Sequence, residues 1–121
     1  MLGCWVIVPG NEEEKIQGAI ESDGSVVMID IEDHVPYPLK DTALETIVDF
    51  PFDTVDKDCF IRVNSVETDR GIGEIKRIAR SEQPPDGFML PVVAEARDVR
   101  IVEEILDKEE SDMDLAALVE T

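Results

Sequence analysis

At 121 residues the chain has room for one domain with a modest core, and 29 acidic against 11 basic side chains give it a formal net charge of -18. That balance leaves no basic face for nucleic acid and is repelled by anionic membrane surfaces. With 43% hydrophobic residues in periodic runs, the chain is not a disordered acidic tail, and so many solvated carboxylates beside only five lysines suit a salt-rich cytoplasm. Cys4-Trp5-Val6-Ile7-Val8 is a short apolar run stopped by Pro9-Gly10, which predicts a first strand and a turn. Asn11 then stands as the cap of a helix whose first turn carries Glu12, Glu13 and Glu14, where carboxylates favour the macrodipole. Ile16, Ala19 and Ile20 give that helix an apolar face, and Ser22-Asp23-Gly24 ends it.

Val26-Val27-Met28-Ile29 is a β-branched and apolar run that breaks into Asp30, Glu32 and Asp33, with Pro36 and Pro38 beyond. Such a run reads as a strand buried on both faces, the kind found in parallel sheets, with its acids where α/β folds place their chemistry. The plainer reading is an edge turn of solvated acids. Ala43, Leu44, Ile47 and Val48 have helical spacing up to Pro51, and residues 49–57 read as a loop. Cys59 to Asn64 is a third strand, again ending in polar groups, and Ile72, Ile75, Ile78 and Ala79 mark a helix closed by Pro84-Pro85. Gly87 to Val93 gives a fourth strand, Ala96 to Leu106 a fourth helix, and an acidic turn from Glu109 to Asp114 leads into a fifth strand, Leu115 to Val119.

Strand and helix alternate four times before that last strand, which predicts an α/β fold with a parallel sheet and right-handed crossovers. Gly71-Ile72-Gly73 lacks the third glycine of a dinucleotide fingerprint and does not follow a strand directly. Polar residues instead close one strand after another: Glu32 and Asp33, Arg62 and Asn64, then Glu120. A (β/α)8 barrel shows this repetition along its catalytic rim, but needs about 250 residues, so this chain supplies about half of one. Cys4 and Cys59 sit in apolar runs without metal-site spacing and read as reduced, buried thiols. No signal peptide and no membrane-spanning stretch is visible, and the expected location is cytoplasmic.

The residues also resemble a known family. Val8-Pro9-Gly10-Asn11 is similar to the opening of citrate lyase β-subunit-like proteins of the HpcH/HpaI aldolase superfamily. Ile29-Asp30-Ile31-Glu32-Asp33-His34-Val35 resembles their Asp-Leu-Glu-Asp-Ala-Val segment, and Lys40 stands where a lysine follows in them. Arg62-Val63-Asn64, Leu90-Pro91 and Leu118-Val119-Glu120-Thr121 are similar to their later strand ends, in the same order along the chain. The resemblance implies the N-terminal half of a TIM barrel and a lyase that makes or breaks a carbon–carbon bond beside a carbonyl, on acyl-CoA thioesters or keto acids. It also implies Mg²⁺, which chelates the keto or carboxylate oxygens and stabilises the developing enolate.

By the same resemblance, Glu120 is one of two carboxylate ligands of the metal, the other expected beyond Thr121. Arg62 holds the substrate's carboxylate or carbonyl oxygen, Glu32 and Asp33 position Arg62 or a metal-bound water nearby, and Asn64 and Pro9-Gly10 shape the pocket floor. On the residues alone, Arg62 is a strand-end arginine neutralising Asp30 or Glu32. His34, the sole histidine, reads as loop surface, and Trp5 and Tyr37 as packing residues. Val92, Ala94 and Leu44 depart from the family's lysine, glutamate and arginine. Two readings follow: a lyase completed by a complementary half or a second copy, and a non-catalytic half-barrel that serves as an interaction module.

Overall fold

The computed structural model describes residues 5–32, 34–90 and 96–117. Nine main elements alternate along it: β1 (Trp5–Pro9), α1 (Glu13–Ile20), β2 (Val26–Asp30), α2 (Lys40–Asp49), β3 (Asp58–Arg62), α3 (Asp69–Ala79), β4 (Gly87–Leu90), α4 (Ala96–Lys108) and β5 (Asp114–Ala117). The five strands form one sheet in the order β1-β2-β3-β4-β5, every pair parallel. A doubly wound sheet would reverse its order part-way and carry helices on both faces. Here the order never reverses, and residues of all four helices join one core against the same face of the sheet, as in the first half of a TIM barrel.

Strand periodicity sorts the residues between two faces. Val27, Ile29, Cys59, Ile61, Phe88 and Leu90 join one buried core with Ile16, Ala43, Ile47, Ile75, Ile78, Val102 and Leu106 from the helices. Burying each such aliphatic side chain stabilises the fold by about 1.5–3 kcal/mol, which makes this layer the main reason the helices hold their places. The alternate positions, Trp5, Ile7, Met28, Phe60 and Met89, face the concave side instead. Met28 and Met89 are covered there, whereas Trp5 and Ile7 on the edge strand are 46% and 52% exposed. Trp5 meets Phe60 at a tilted 6.1 Å between ring centroids.

Several local expectations need correction. Asn11 does not cap α1: it lies in the turn after β1, Glu12 occupies the cap position, and no side chain bonds there. Residues 49–57 are not a bare loop, because Phe50 and Phe52 are buried, 4.8 Å apart, around a 3-10 turn at Phe52–Thr54. Tyr37 is exposed rather than packed, with the Arg70 guanidinium 5.3 Å above its ring. In the acidic turn, Glu109 accepts two hydrogen bonds from Arg80 at 2.6 and 2.8 Å. At α3 the cap is Thr68, whose hydroxyl accepts the Gly71 N–H at 3.1 Å. Cys4 and the expected continuations of β4 into 91–93 and of β5 into 118–119 lie outside the described residues.

Candidate functional site

The polar residues gather where β1, β2 and β3 end. In register, Pro9 stands beside Asp30 and Asp30 beside Arg62, so three strand ends bring turn, acid and base together. Gly10 closes against β2, donating its N–H to the Asp30 carbonyl at 2.9 Å. A Cβ there would come within 2.5 Å of the Ile31 Cγ2, so any larger residue at position 10 would force the Ile31 side chain aside.

Asp30 is the hub. Its side chain is 0% exposed, and its Oδ1 accepts the Glu32 N–H at 2.6 Å, which turns the chain sharply after the strand. Its Oδ2 faces Arg62 Nη1 at 3.5 Å and meets His34 Nδ1 in a short contact. Arg62, with a side chain 13% exposed, reaches Glu32 Oε1 with Nη2 at 3.1 Å. A guanidinium held between two carboxylates at the sheet end is both fixed in direction and neutralised locally. His34 is exposed, as expected, but its Nδ1 is tied to Asp30, a contact the sequence reading missed.

A second layer supports the first. Lys40, at the start of α2, donates to the Glu32 carbonyl and to Asn64 Oδ1, both at 2.7 Å, and to the Ile31 carbonyl at 3.4 Å. Asn64 donates its Nδ2 to the Ile31 carbonyl at 3.1 Å and to Glu74 Oε2 at 2.6 Å, and its backbone N–H to Glu74 Oε1 at 3.0 Å. Glu74 on α3 is 1% exposed, and burial pushes its carboxyl above the ordinary range against the lowering pull of its Asn64 hydrogen bonds. Neither Glu74 nor this use of Lys40 was foreseen. The available signal was a carboxylate inside the apolar stripe of Gly71, Ile75 and Ile78.

Of the residues expected to form the site, Pro9, Gly10, Glu32, Arg62 and Asn64 therefore lie together at one end of the sheet. Asp33 and Glu120 lie outside the described residues. Among the described residues no group of three or more His, Cys, Asp or Glu side chains converges as a metal cage, and the rim acids Asp30 and Glu32 are turned toward Arg62 and His34. The described residues alone do not make a magnesium site. Cys59 offers no nucleophile either: burial, then Asp86 and Asp58, push its thiol up to about 12.

Residues 2–121 match the HpcH/HpaI aldolase/citrate lyase family. The chain belongs to that family. Among solved structures, CitE from Mycobacterium tuberculosis with magnesium, acetoacetate and coenzyme A is 26% identical, with a TM-score of 0.75 over 98% of this chain and 40% of its own. The citrate lyase β subunit from the same organism, complexed with oxaloacetate and magnesium, is 27% identical, with a TM-score of 0.73 over 98% of this chain and 48% of its own. RipC from Yersinia pestis shares the fold at 23% identity and a TM-score of 0.70, over 97% of this chain and 46% of its own. The HpcH/HpaI chain thus spans about half the length of the solved structures it matches. Among curated protein sequences, none matches it. Among the described residues, no helix of this family member is long and apolar enough to cross a membrane.

Proposed function

We propose that the chain carries the N-terminal share of a citrate lyase-like carbon–carbon lyase site, acting on an acyl-CoA thioester or a keto acid. The observation that carries this reading is Arg62, fixed at the end of β3 by Asp30 and Glu32 beside the Pro9-Gly10 turn. Its guanidinium is the group that would hold a substrate carboxylate or carbonyl oxygen. Being already oriented, it loses little freedom on binding. In this reading Glu32 and Asp33 keep Arg62 aimed, and Asn64, Pro9 and Gly10 form the floor.

The local charge sets a condition on binding. Asp30 and Glu32 both face Arg62, so its charge is already matched before an anionic keto acid arrives. A further cation is needed beside the anion. Magnesium is the ion named with both relatives from Mycobacterium tuberculosis, and Glu120 is the carboxylate proposed to hold it here. The concave face, open at Trp5 and Ile7, would take a complementary half-barrel or a second copy. The same open face supports the alternative reading, an interaction module without turnover.

Calorimetric titration with oxaloacetate tests the proposal. With Mg²⁺ present the chain should bind it, EDTA should abolish the heat, and Arg62→Ala should weaken binding by about 10- to 100-fold, the loss of a charge-assisted contact of roughly 1.5–3 kcal/mol. Equal binding by the Arg62→Ala chain would remove Arg62 from the site, and binding unaffected by EDTA would remove the metal.

A further inference from the structure

We infer that Glu74 is a positioning residue for Arg62, acting from the second layer through Asn64 and Lys40. This rests on the reading above, in which Arg62 meets the substrate. A carboxylate that is 1% exposed, on a helix whose neighbouring inward positions are Gly71, Ile75 and Ile78, is an unfavourable choice for packing alone. An apolar side chain of similar size would serve the core better. What the carboxylate does instead is take both N–H groups of one residue, the backbone and side-chain donors of Asn64, at 3.0 and 2.6 Å.

That double contact decides which way the Asn64 amide points. With Nδ2 committed to Glu74 and to the Ile31 carbonyl, Oδ1 must face Lys40 Nζ, 2.7 Å away. Lys40 in turn grips the Glu32 and Ile31 carbonyls, which are the backbone of the turn that presents the Glu32 carboxylate to Arg62. The chain of contacts is continuous from α3 to the guanidinium: Glu74, Asn64, Lys40, the 31–32 turn, Arg62. Gly71 keeps the relay short, because a Cβ there would overlap the Asn64 and Ser65 carbonyl oxygens, so α3 starts hard against the loop that carries Asn64. The other cation near Glu74, Arg70, stands 4.0 Å away and is engaged by Asp41 at 2.8 Å.

Neutral glutamine at position 74 presents a donor where the carboxylate only accepts, so the Asn64 amide loses its fixed sense and Lys40 its acceptor. The test is nitrogen-15 and carbon-13 NMR of the 121-residue chain, following the Arg62 guanidinium and Asn64 side-chain amide signals, with the Ile75 and Ile78 methyls as a control for the fold. Glu74→Gln should shift and broaden the Arg62 and Asn64 signals while the methyls stay in place. Arg62 signals unchanged in Glu74→Gln with the methyls in place would overturn the inference. Should Glu74→Gln fail to fold, Asn64→Ala cuts the same relay without touching the buried stripe of α3, and must shift Arg62 likewise.

Oxaloacetate titration separates this inference from the reading beneath it. Glu74→Gln should weaken binding roughly 10-fold, the scale on which outer-shell partners act. Because the effect runs through Arg62, adding Glu74→Gln to Arg62→Ala should cost nothing more. If Arg62→Ala leaves binding intact, the substrate role of Arg62 falls while the relay, read from the guanidinium signals, stands or falls by itself.

Discussion

Asp30 shows how much depends on one side chain at a strand end. It is fully buried, yet it serves the Glu32 N–H, Arg62 and His34 together. Breaking a buried charge cluster by removing one partner typically costs about 3–5 kcal/mol, so Asp30→Ala should lower the unfolding free energy on that scale in urea melts. A loss under 1 kcal/mol would mean that the pairing is solvent-screened. Cys59 makes the second test at this scale. Its thiol is raised from 9.0 to about 12 by burial, so the protonated thiol contributes stability in full below pH 9, and that contribution is lost as pH rises toward 12. Cys59→Ala should flatten the alkaline fall in stability over that window. An identical fall in both chains would contradict it. The acids at the end of β2 were readable as a cluster because they interrupt an apolar run. The pairing of Asp30 with His34 was not, because it depends on the turn that follows the strand bringing a residue four positions on back over the strand end.

Helices and strands were legible wherever periodicity was strong. The four helices and five strands fall where apolar spacing put them, and the misreadings lie at termini and turns. Asn11 looked like a cap because caps favour its residue type, but the turn after β1 runs one residue further and takes Asn11 with it. Phe50 and Phe52 were hidden in a stretch with Pro51 and three aspartates, where no period announces a buried pair. Two contrasts between glycines follow from the element scale. Gly71→Ala must push backbone apart and should cost about 1–3 kcal/mol, whereas Gly18→Ala and Gly73→Ala, which meet nothing within 4 Å, should each add about 0.5–1 kcal/mol of helix stability. Denaturant midpoints measure all three, and a neutral Gly71→Ala would show that α3 can retreat from the loop. Glu74 gives a pH signature. Since burial raises its folded pKa above the ordinary 4.5, its contribution to stability is fully present below 4.5 and is lost as pH rises through the raised value. Relative to Glu74→Gln, the wild-type chain should therefore gain stability on acidification from neutrality toward 4.5. A difference that does not change with pH would mean that the carboxylate is solvated.

At the scale of the whole molecule, two features come from the full sequence rather than any segment. The net charge of -18 makes self-repulsion part of the folding balance, so the thermal midpoint should climb as KCl is raised from low to molar concentration. A midpoint indifferent to salt would contradict an adaptation to a salt-rich interior. The second feature is the sheet itself: five parallel strands in unbroken order, matching about half of each related barrel, with edge residues Trp5 and Ile7 open on the concave side. Alternation and polar strand ends were enough to read the fold class from sequence. The layer behind Arg62 was not readable, because Lys40, Asn64 and Glu74 come from three elements that only folding brings together. Sedimentation of the chain alone tests the concave face, which should associate through its exposed apolar positions; a monomer at high concentration would count against that. A crystal structure of the chain grown with oxaloacetate and Mg²⁺ decides whether Arg62 meets the substrate. A keto-acid carboxylate should lie within hydrogen-bond distance of the Arg62 guanidinium, above the Pro9-Gly10 turn. Oxaloacetate bound at the opposite end of the sheet, or Arg62 still closed on Asp30 and Glu32 with the ligand elsewhere, would contradict it.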